Sequence, residues 1–361
     1  MPSAPPRRRA ERPTRERRRR TRPQPGPGSE PRPARLTRIA ESRLPLTVWV
    51  AVVLAGVACL VAAMVPVGPE QLAGIGSVTV TAALTWALAA RMGGRPILFG
   101  TLALACGIAV LVIDEESLRT GAAVMSCVIS GVLGVVATVP AKRFLDSARE
   151  CLVAIGIAAI GALATAGFEP TIDLLRFEYV TLLLVLAGCF GVVFRLGAGF
   201  HGLGRRGVAT VLIGAVVLAV TLAYAELLRR YGTPGLVDNL LDGVRWSREN
   251  LGAFPRPIET VLGVPALVWG THMRARRRQG WWVCAFGAAA TAPVANSLMN
   301  PAIALSEVVL SVTYGLVVGL VIGYVVVRVD LLLTGPRGRR ARRAEEEAAG
   351  RPEPSRTSAL L

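Results

Sequence analysis

Histidine, lysine and paired cysteines are scarce in this chain, and their scarcity excludes several kinds of chemistry. Two of the 361 residues are histidines, and Lys142 is the only lysine among 41 basic residues. The six cysteines form no CxxC pair and all lie in apolar runs, which argues against a disulfide framework or a zinc site. No serine or cysteine stands in a nucleophile motif, and there is no P-loop. The sequence therefore favours a protein that is not an enzyme and that uses no metal or cofactor.

Aromatic residues make up only 6% of the chain, and none precedes Trp49. Residues 1–43 thus offer no stacking platform for bases, so nucleic acid is a poor candidate partner. Their arginines suit the anionic headgroups of a bilayer instead. Residues 1–43 and 328–361 are rich in Pro, Gly, Arg or Glu and lack apolar periodicity, so we predict two disordered basic tails. The excess of arginine over lysine is typical of a GC-rich bacterial genome.

Long apolar runs fill the chain between the tails. Hydrophobic residues make up 52% of the sequence, and the mean hydropathy is +0.50. Backbone groups in lipid must bond within their own segment, so runs of this length are expected to be helices. The sequence predicts an all-α, polytopic transmembrane bundle over residues 44–327, with about ten spans. The predicted spans are Leu44–Val67, Leu72–Ala90, Pro96–Ile113, Gly121–Pro140, Cys151–Phe168, Tyr179–Phe194, Val208–Ala225, Ile258–His272, Trp281–Leu298 and Ala302–Val327.

The charges between the runs predict an orientation. With the N-terminal tail in the cytoplasm and the spans alternating, basic residues on the cytoplasmic side outnumber those outside by 34 to 7. We therefore expect a multi-pass protein of the bacterial cytoplasmic membrane with both termini in the cytoplasm. The arginines between the eighth and ninth spans are interpreted as a topology signal at the lipid headgroups, namely Arg274, Arg276, Arg277 and Arg278. The tryptophans beside them are predicted interfacial anchors, namely Trp269, Trp281 and Trp282.

One outer segment, residues 231–257, is longer than the other connections. Thr233 followed by Pro234 is a helix-start signal, and Gly252 and Pro255 end the pattern. Apolar residues fall on one face between these signals and charged residues on the other. We predict an amphipathic helix that lies on the outer surface or covers the bundle.

Polar residues near the ninth and tenth spans are the main candidates for a binding site. Glu307 lies about one turn inside the last apolar run, and Pro293 interrupts the run before it. Ionisable groups in a membrane are costly functional candidates, and transporters place substrates beside interrupted helices. Outward snorkelling of Glu307 is the structural alternative. The candidate substrate or ion pocket comprises Asn296, Asn300, Glu307, Ser311 and Tyr314, with Glu259 and Glu226 at the outer ends of neighbouring spans.

The last span also carries small residues at helical spacing, Gly315, Gly319 and Gly323. Such a stripe permits close helix packing, either within the bundle or across a homodimer.

Three functions remain open at this point. A secondary carrier or permease of unknown substrate fits the polar pocket, and ten spans with both ends inside match the layout of inverted-repeat carriers. A non-catalytic scaffold or envelope-assembly accessory protein would hold a membrane-protein partner through the tails, the glycine stripe and the outer helix. A membrane enzyme acting on lipid-linked sugar would use the acidic residues 114–116 and ranks last.

The orientation is testable with reporter fusions. A fusion within residues 274–278 should report the cytoplasm, because four arginines resist transfer across the membrane. A matched fusion within residues 231–257 should report the outside. An external signal at residues 274–278 would contradict the predicted orientation of every connection.

Overall fold

A computed structural model describes residues 44–65, 69, 71–276, 279–334 and 353–360. Within these ranges every regular element is a helix and there is no strand. The predicted tail 1–43, Arg277 and Arg278 lie outside the described residues. The helices are α1 (Leu44–Met64), α2 (Gln71–Arg91), α3 (Pro96–Ile113), α4 (Glu116–Val136), α5 (Phe144–Gly167), α6 (Leu174–Val193), α7 (Gly199–Tyr231), α8 (Pro234–Leu251), α9 (Val264–Arg274), α10 (Gly280–Ala285), α11 (Ala288–Met299) and α12 (Leu305–Thr334).

Nine segments of the described residues are long and apolar enough to cross a membrane. This confirms the all-helical class and is compatible with an integral, multi-pass membrane protein. The predicted eighth span, Ile258–His272, is not among the nine. A π-helical turn, Glu259–Gly263, runs there directly into α9, whose 11 residues rise only about 16 Å.

The short helix is tolerated because it lies at the centre of the bundle. The helix α9 and the segment α10–α11 pack against one another and are surrounded by α4, α5, α6 and α12. Of the Gly280–Met299 window, 89% is buried within the protein. The outer helices α1, α3 and α7 instead expose large apolar side chains such as Leu54, Ile97 and Leu212. A helix enclosed by protein does not have to match the thickness of the hydrocarbon core.

Glycines allow the central helices to approach backbone to backbone. A Cβ added at Gly263 would lie 2.2 Å from the Ala290 nitrogen, and one at Gly270 would lie 2.7 Å from the Cys284 nitrogen. A Cβ at Gly280 would lie 2.7 Å from the carbonyl oxygen of Gly270. The small residues therefore set the crossing of α9 with α10 and α11, as they do in tightly packed membrane helices.

Several elements extend beyond the predicted apolar runs. The helix α5 begins at Phe144, seven residues before the predicted span, and Asp146 in its first turn accepts the Arg143 N–H at 3.3 Å. At the other end of the chain α12 continues to Thr334. Residues 353–360, for which the composition predicted disorder, contact the bundle through the charged groups described below. Hydropathy alone does not register such helix ends, since they lie beyond the apolar stretch.

The segment 231–257 contains α8, with Thr233 at its N-cap and Gly252 at its C-cap. Gly252 has a φ of 77°, the left-handed conformation that glycine adopts without strain. The Thr233 side chain makes no capping hydrogen bond. Large apolar residues of α8 are exposed, among them Leu240, Leu241 and Trp246.

The central crossing makes a prediction about stability. Gly263→Ala should lower the free energy of unfolding by about 1–3 kcal/mol, because its methyl group would overlap the α11 backbone. Gly156→Ala, which meets nothing within 4 Å, is the matched control and should be neutral or stabilising. Thermal unfolding of both variants in detergent measures the difference. Equal midpoints would show that the close contact does not constrain the helices.

Candidate functional site

The most unusual side chain of the described structure is the Glu259 carboxylate. Glu259 is 0% exposed, and neither carboxylate oxygen has a hydrogen-bond partner among the described residues. A buried charge without a partner is expensive, and in a membrane protein it marks a candidate functional group. Glu259 was one of the peripheral candidates of the sequence, and the structure makes it the central one.

Local backbone structure explains how Glu259 is held. The Val264 N–H donates to the Glu259 carbonyl, five residues back, which defines the π turn. Pro265 has no N–H to donate, so the α-helical bond to the carbonyl of Val261 is missing at this step. Such π turns occur frequently at functional sites. The carboxylate therefore sits at an interruption of the helix, which the sequence had located at Pro293 instead.

The glycine stripe of α12 faces this turn within the same chain. A Cβ at Gly315 would lie 3.1 Å from the Glu259 carboxylate, and Cβ atoms at Gly319 and Gly323 would overlap Val264 and Val268. The stripe thus packs α12 against the π turn and α9. The glycine at position 315 leaves the carboxylate the space that it occupies.

A polar cluster lies beside Glu259 at the same end of the bundle. The Asn296 amide nitrogen donates to the Glu178 carboxylate at 3.0 Å, and the Asn296 oxygen has no partner among the described residues. Arg256 interacts electrostatically with both Glu178 and Glu259. Burial lowers the pKa of the Arg256 guanidinium, and the two negative charges raise it in turn. Arg256 thus interacts with both carboxylates, and the Asn296 amide with one of them.

A small cavity adjoins this cluster. It has a volume of about 130 Å³ and is lined by Arg248, Arg256, Ser297, Glu307 and Ser311, among others. Glu307 pairs with Arg248 at 3.0 Å. The volume is below the roughly 300–1,000 Å³ typical of small-molecule pockets. The cavity in this conformation suits water or a small ion.

Two hydroxyl groups tie α12 to the chain that leads into the π turn. Ser311 donates to the Phe254 carbonyl at 2.7 Å, and Tyr314 donates to the Leu251 carbonyl at 2.8 Å. Both residues were candidates from the sequence. Ser311 lines the cavity, whereas Tyr314 anchors the end of α8.

Two other sequence candidates lie apart from Glu259. Asn300 accepts the Ala302 N–H at 3.0 Å and so shapes the turn before α12. Glu226 pairs with Arg230 one helical turn away, at 2.5 Å, on an exposed part of α7. Neither residue is among those that line the cavity beside Glu307.

The sequence reasoning missed Glu178 and Arg256. It treated Glu178 as a flanking residue because the predicted sixth span began at Tyr179, and Arg256 as an outer-loop charge. Their signal was present, since Glu178 lies in the second turn of α6 and Arg256 stands three residues before Glu259. The signal that could have identified this pair was an acidic and a basic residue, each next to the start of a predicted span.

The acidic residues 114–116 are not arranged as a metal site. Asp114 pairs with Arg119, and Glu115 accepts the Ser117 hydroxyl at 2.9 Å. Across the described part of the chain, no group of three or more His, Cys, Asp or Glu side chains could hold a metal ion. The arrangement gives no support to a metal-dependent reaction at these residues.

A second charged cluster lies at the opposite end of the bundle and includes Arg274. This residue is 0% exposed, and its guanidinium lies 3.4 Å from the centroid of the Trp281 ring. It also donates to the Thr138 hydroxyl at 2.8 Å and to Glu353 at 2.6 Å. Protein groups therefore surround this cation where the sequence predicted a lipid contact, and its Nε has no hydrogen-bond partner among the described residues.

The structure describes part of the remaining predicted headgroup cluster and two of the predicted tryptophan anchors. Arg276 is partly buried in the connection between α9 and α10, while Arg277 and Arg278 lie outside the described residues. Trp281 and Trp282 are buried within the bundle. Hydropathy does not distinguish a tryptophan at the lipid interface from one, such as Trp281, whose ring contacts a buried arginine.

Comparisons with models of protein families, with curated proteins and with solved structures find no match to this chain. Function is therefore inferred from the residues and contacts themselves.

If Glu259 does not stabilise the fold, replacing it with an apolar residue should increase stability. Glu259→Leu should raise the free energy of unfolding by about 1–3 kcal/mol, because it removes a buried polar group that has no partner. Glu150→Leu is the control, since Glu150 is equally buried but accepts bonds from Val139 and Arg356. It should lower stability. Thermal unfolding in detergent compares the two, and a loss of stability in Glu259→Leu would assign Glu259 a structural role.

Proposed function

We propose that this chain is an ion-coupled secondary carrier of a bacterial cytoplasmic membrane, and that it crosses the membrane ten times with both termini in the cytoplasm. The nine long apolar segments and the enclosed helix α9 together supply ten crossings. The arginine-rich composition favours a bacterial source.

Contacts between distant connections support this topology. The Ala141 N–H donates to the Thr271 carbonyl at 3.0 Å, and the Arg91 side chain donates to the Val136 carbonyl at 3.1 Å. The connections 91–95 and 137–143 and the connection that begins at residue 275 therefore meet at one end of the bundle, hereafter the basic end. Alternating crossings require these three connections to share a side, and their positive charge favours the cytoplasm.

The observation that carries the carrier proposal is the buried, unpartnered Glu259 carboxylate at a π turn. Carriers bind coupling ions where a helix is interrupted, because the interruption provides polar groups at membrane depth. A carboxylate there can take a proton or a small cation, which removes the energetic cost of its isolated charge. We assign this role to Glu259.

The neighbouring polar groups have complementary roles in this mechanism. Arg256 stands beside both Glu259 and Glu178, so a change of charge at Glu259 alters the balance of forces on the arginine. Asn296 keeps a free amide oxygen for a polar solute. Glu307 and Ser311 line the cavity through which solute reaches this cluster. The 130 Å³ cavity then corresponds to a conformation with its central path closed.

Transport by reconstituted protein tests the proposal. Liposomes containing the full chain are incubated with a mixed extract of small metabolites under an inward proton or sodium gradient. Mass spectrometry then identifies solutes that accumulate in the lumen. At least one solute should accumulate above the level in empty liposomes, and Glu259→Gln should abolish its gradient-driven accumulation, because the amide can neither take up a proton nor neutralise a cation.

Glu226→Gln is the matched control, since it removes the same charge from an exposed surface pair. It should transport as the unmodified chain does at equal protein content. Accumulation that survives Glu259→Gln would refute the role of this residue. A lumen identical to that of empty liposomes would refute the carrier function.

A scaffold or envelope-assembly accessory protein is the second candidate, and α8 favours it. The exposed Leu240, Leu241 and Trp246 form apolar surface outside the main bundle, where a membrane-protein partner or the lipid interface can cover it. A scaffold requires no solute movement. The liposome experiment therefore separates the two functions.

A further inference from the structure

We infer that the basic end of the bundle contains an anion-binding site, formed by Arg91, Arg274 and Thr138, and that the chain's own Glu353 carboxylate occupies it as an internal ligand. The ligand class is a free anion bearing a carboxylate or phosphate group. This inference does not rest on the carrier function, because the site lies at the opposite end from Glu259.

The first argument is the excess of buried positive charge. Arg91 is 3% exposed and Arg274 is 0% exposed, while Glu150, at 2%, is the one acidic residue of the transmembrane helices that joins them in this cluster. Within the described helices and their connections, Arg91 donates to the Val136 carbonyl. Arg274 donates to the two oxygens of Thr138, lies over the Trp281 ring and interacts with Cys284. Two buried guanidinium groups satisfied by so few neutral acceptors attract an anion.

The second argument is how residues 353–360 complete the cluster. Glu353 pairs with Arg274 at 2.6 Å. Arg356 donates to both carboxylate oxygens of Glu150 at 2.7 and 2.8 Å. Arg91 donates to the carbonyls of Ser355 and Ser358 at 2.6 Å each. Arg91, Arg274 and Glu150 thus each receive an opposite charge or a pair of carbonyl dipoles from the C-terminal segment.

The third argument is that donors remain unused even with the segment in place. The Arg274 Nε and one terminal nitrogen of Arg91 have no partner among the described residues. A single carboxylate therefore does not saturate the site. An anion with three or four oxygens, such as phosphate, or a dicarboxylate can engage these donors as well.

The segment also has the features of a removable occupant. It contains no regular helix, and its Ser355, Thr357 and Ser358 are exposed. A ligand joined to the same chain acts at a high effective concentration, so a free anion must compete against it. Removing the segment should therefore uncover binding that the full chain hides.

Calorimetric titration in a neutral detergent tests the inference with the full chain and with a chain that ends at residue 352. Inorganic phosphate and succinate are the probes, and chloride at equal ionic strength is the control. The shortened chain should bind phosphate or succinate at least about tenfold more tightly than the full chain does. Arg91→Gln in the shortened chain should abolish that binding, whereas Arg95→Gln, at an exposed arginine of the same end, should leave it unchanged.

A peptide of residues 351–361 provides a readout that does not depend on a substituted bundle. It should bind the shortened chain, and its Glu353→Gln variant should bind at least about tenfold more weakly because the contact with Arg274 loses its charge. The Thr357→Ala peptide should bind like the parent. The inference is overturned if the shortened chain binds neither free anion, if it binds one only after anionic lipid is added, or if the full chain binds as tightly.

Discussion

Charge neutralisation inside an apolar bundle is the constraint on which this structure depends. Lipid and packed helices offer few partners to an ionised side chain, so each buried charge needs an opposite charge or a dipole from elsewhere in the protein. At the basic end the chain meets this requirement with Arg356 on Glu150 and Glu353 on Arg274. At the other end Glu259 has no hydrogen-bond partner among the described residues, and Arg256 is the charge that acts on it. The two ends therefore differ in how far the chain itself neutralises their buried charges.

Close packing at the centre follows from the same requirement. Helices α9, α10 and α11 are poorly apolar by comparison with α1 or α3, and they are enclosed by other helices. Their glycines allow backbone contact, which leaves little room for lipid or water. The outer helices supply the apolar surface instead. Polar residues can therefore reach the interior on the central helices without meeting hydrocarbon.

The sequence predicted the helical class and most apolar segments, because both depend on composition within a single run. It also singled out Glu259, Glu307 and Ser311, since polar residues stand out in apolar surroundings. The π turn was not predictable, because it arises from tertiary packing of Gly263 against α11 together with Pro265. The burial of Arg274 depends on a tail residue 79 positions away. Charge counting assigned that arginine to the surface, where an arginine without such a distant partner normally lies.

In the π turn at Glu259–Gly263 the Val264 N–H pairs with the Glu259 carbonyl, whereas α pairing would use the Thr260 carbonyl. A change to α pairing would shorten the hydrogen-bonded turn by one residue. One residue corresponds to a rotation of roughly 100° about the helix axis. The part of the chain before Val264 would then rotate relative to α9 without any movement of α9 itself. Glu259 would leave the space beside Gly315 and face a different helix. A change of pairing within these five residues would therefore turn the Glu259 carboxylate and move the segment between α8 and the π turn at the same time.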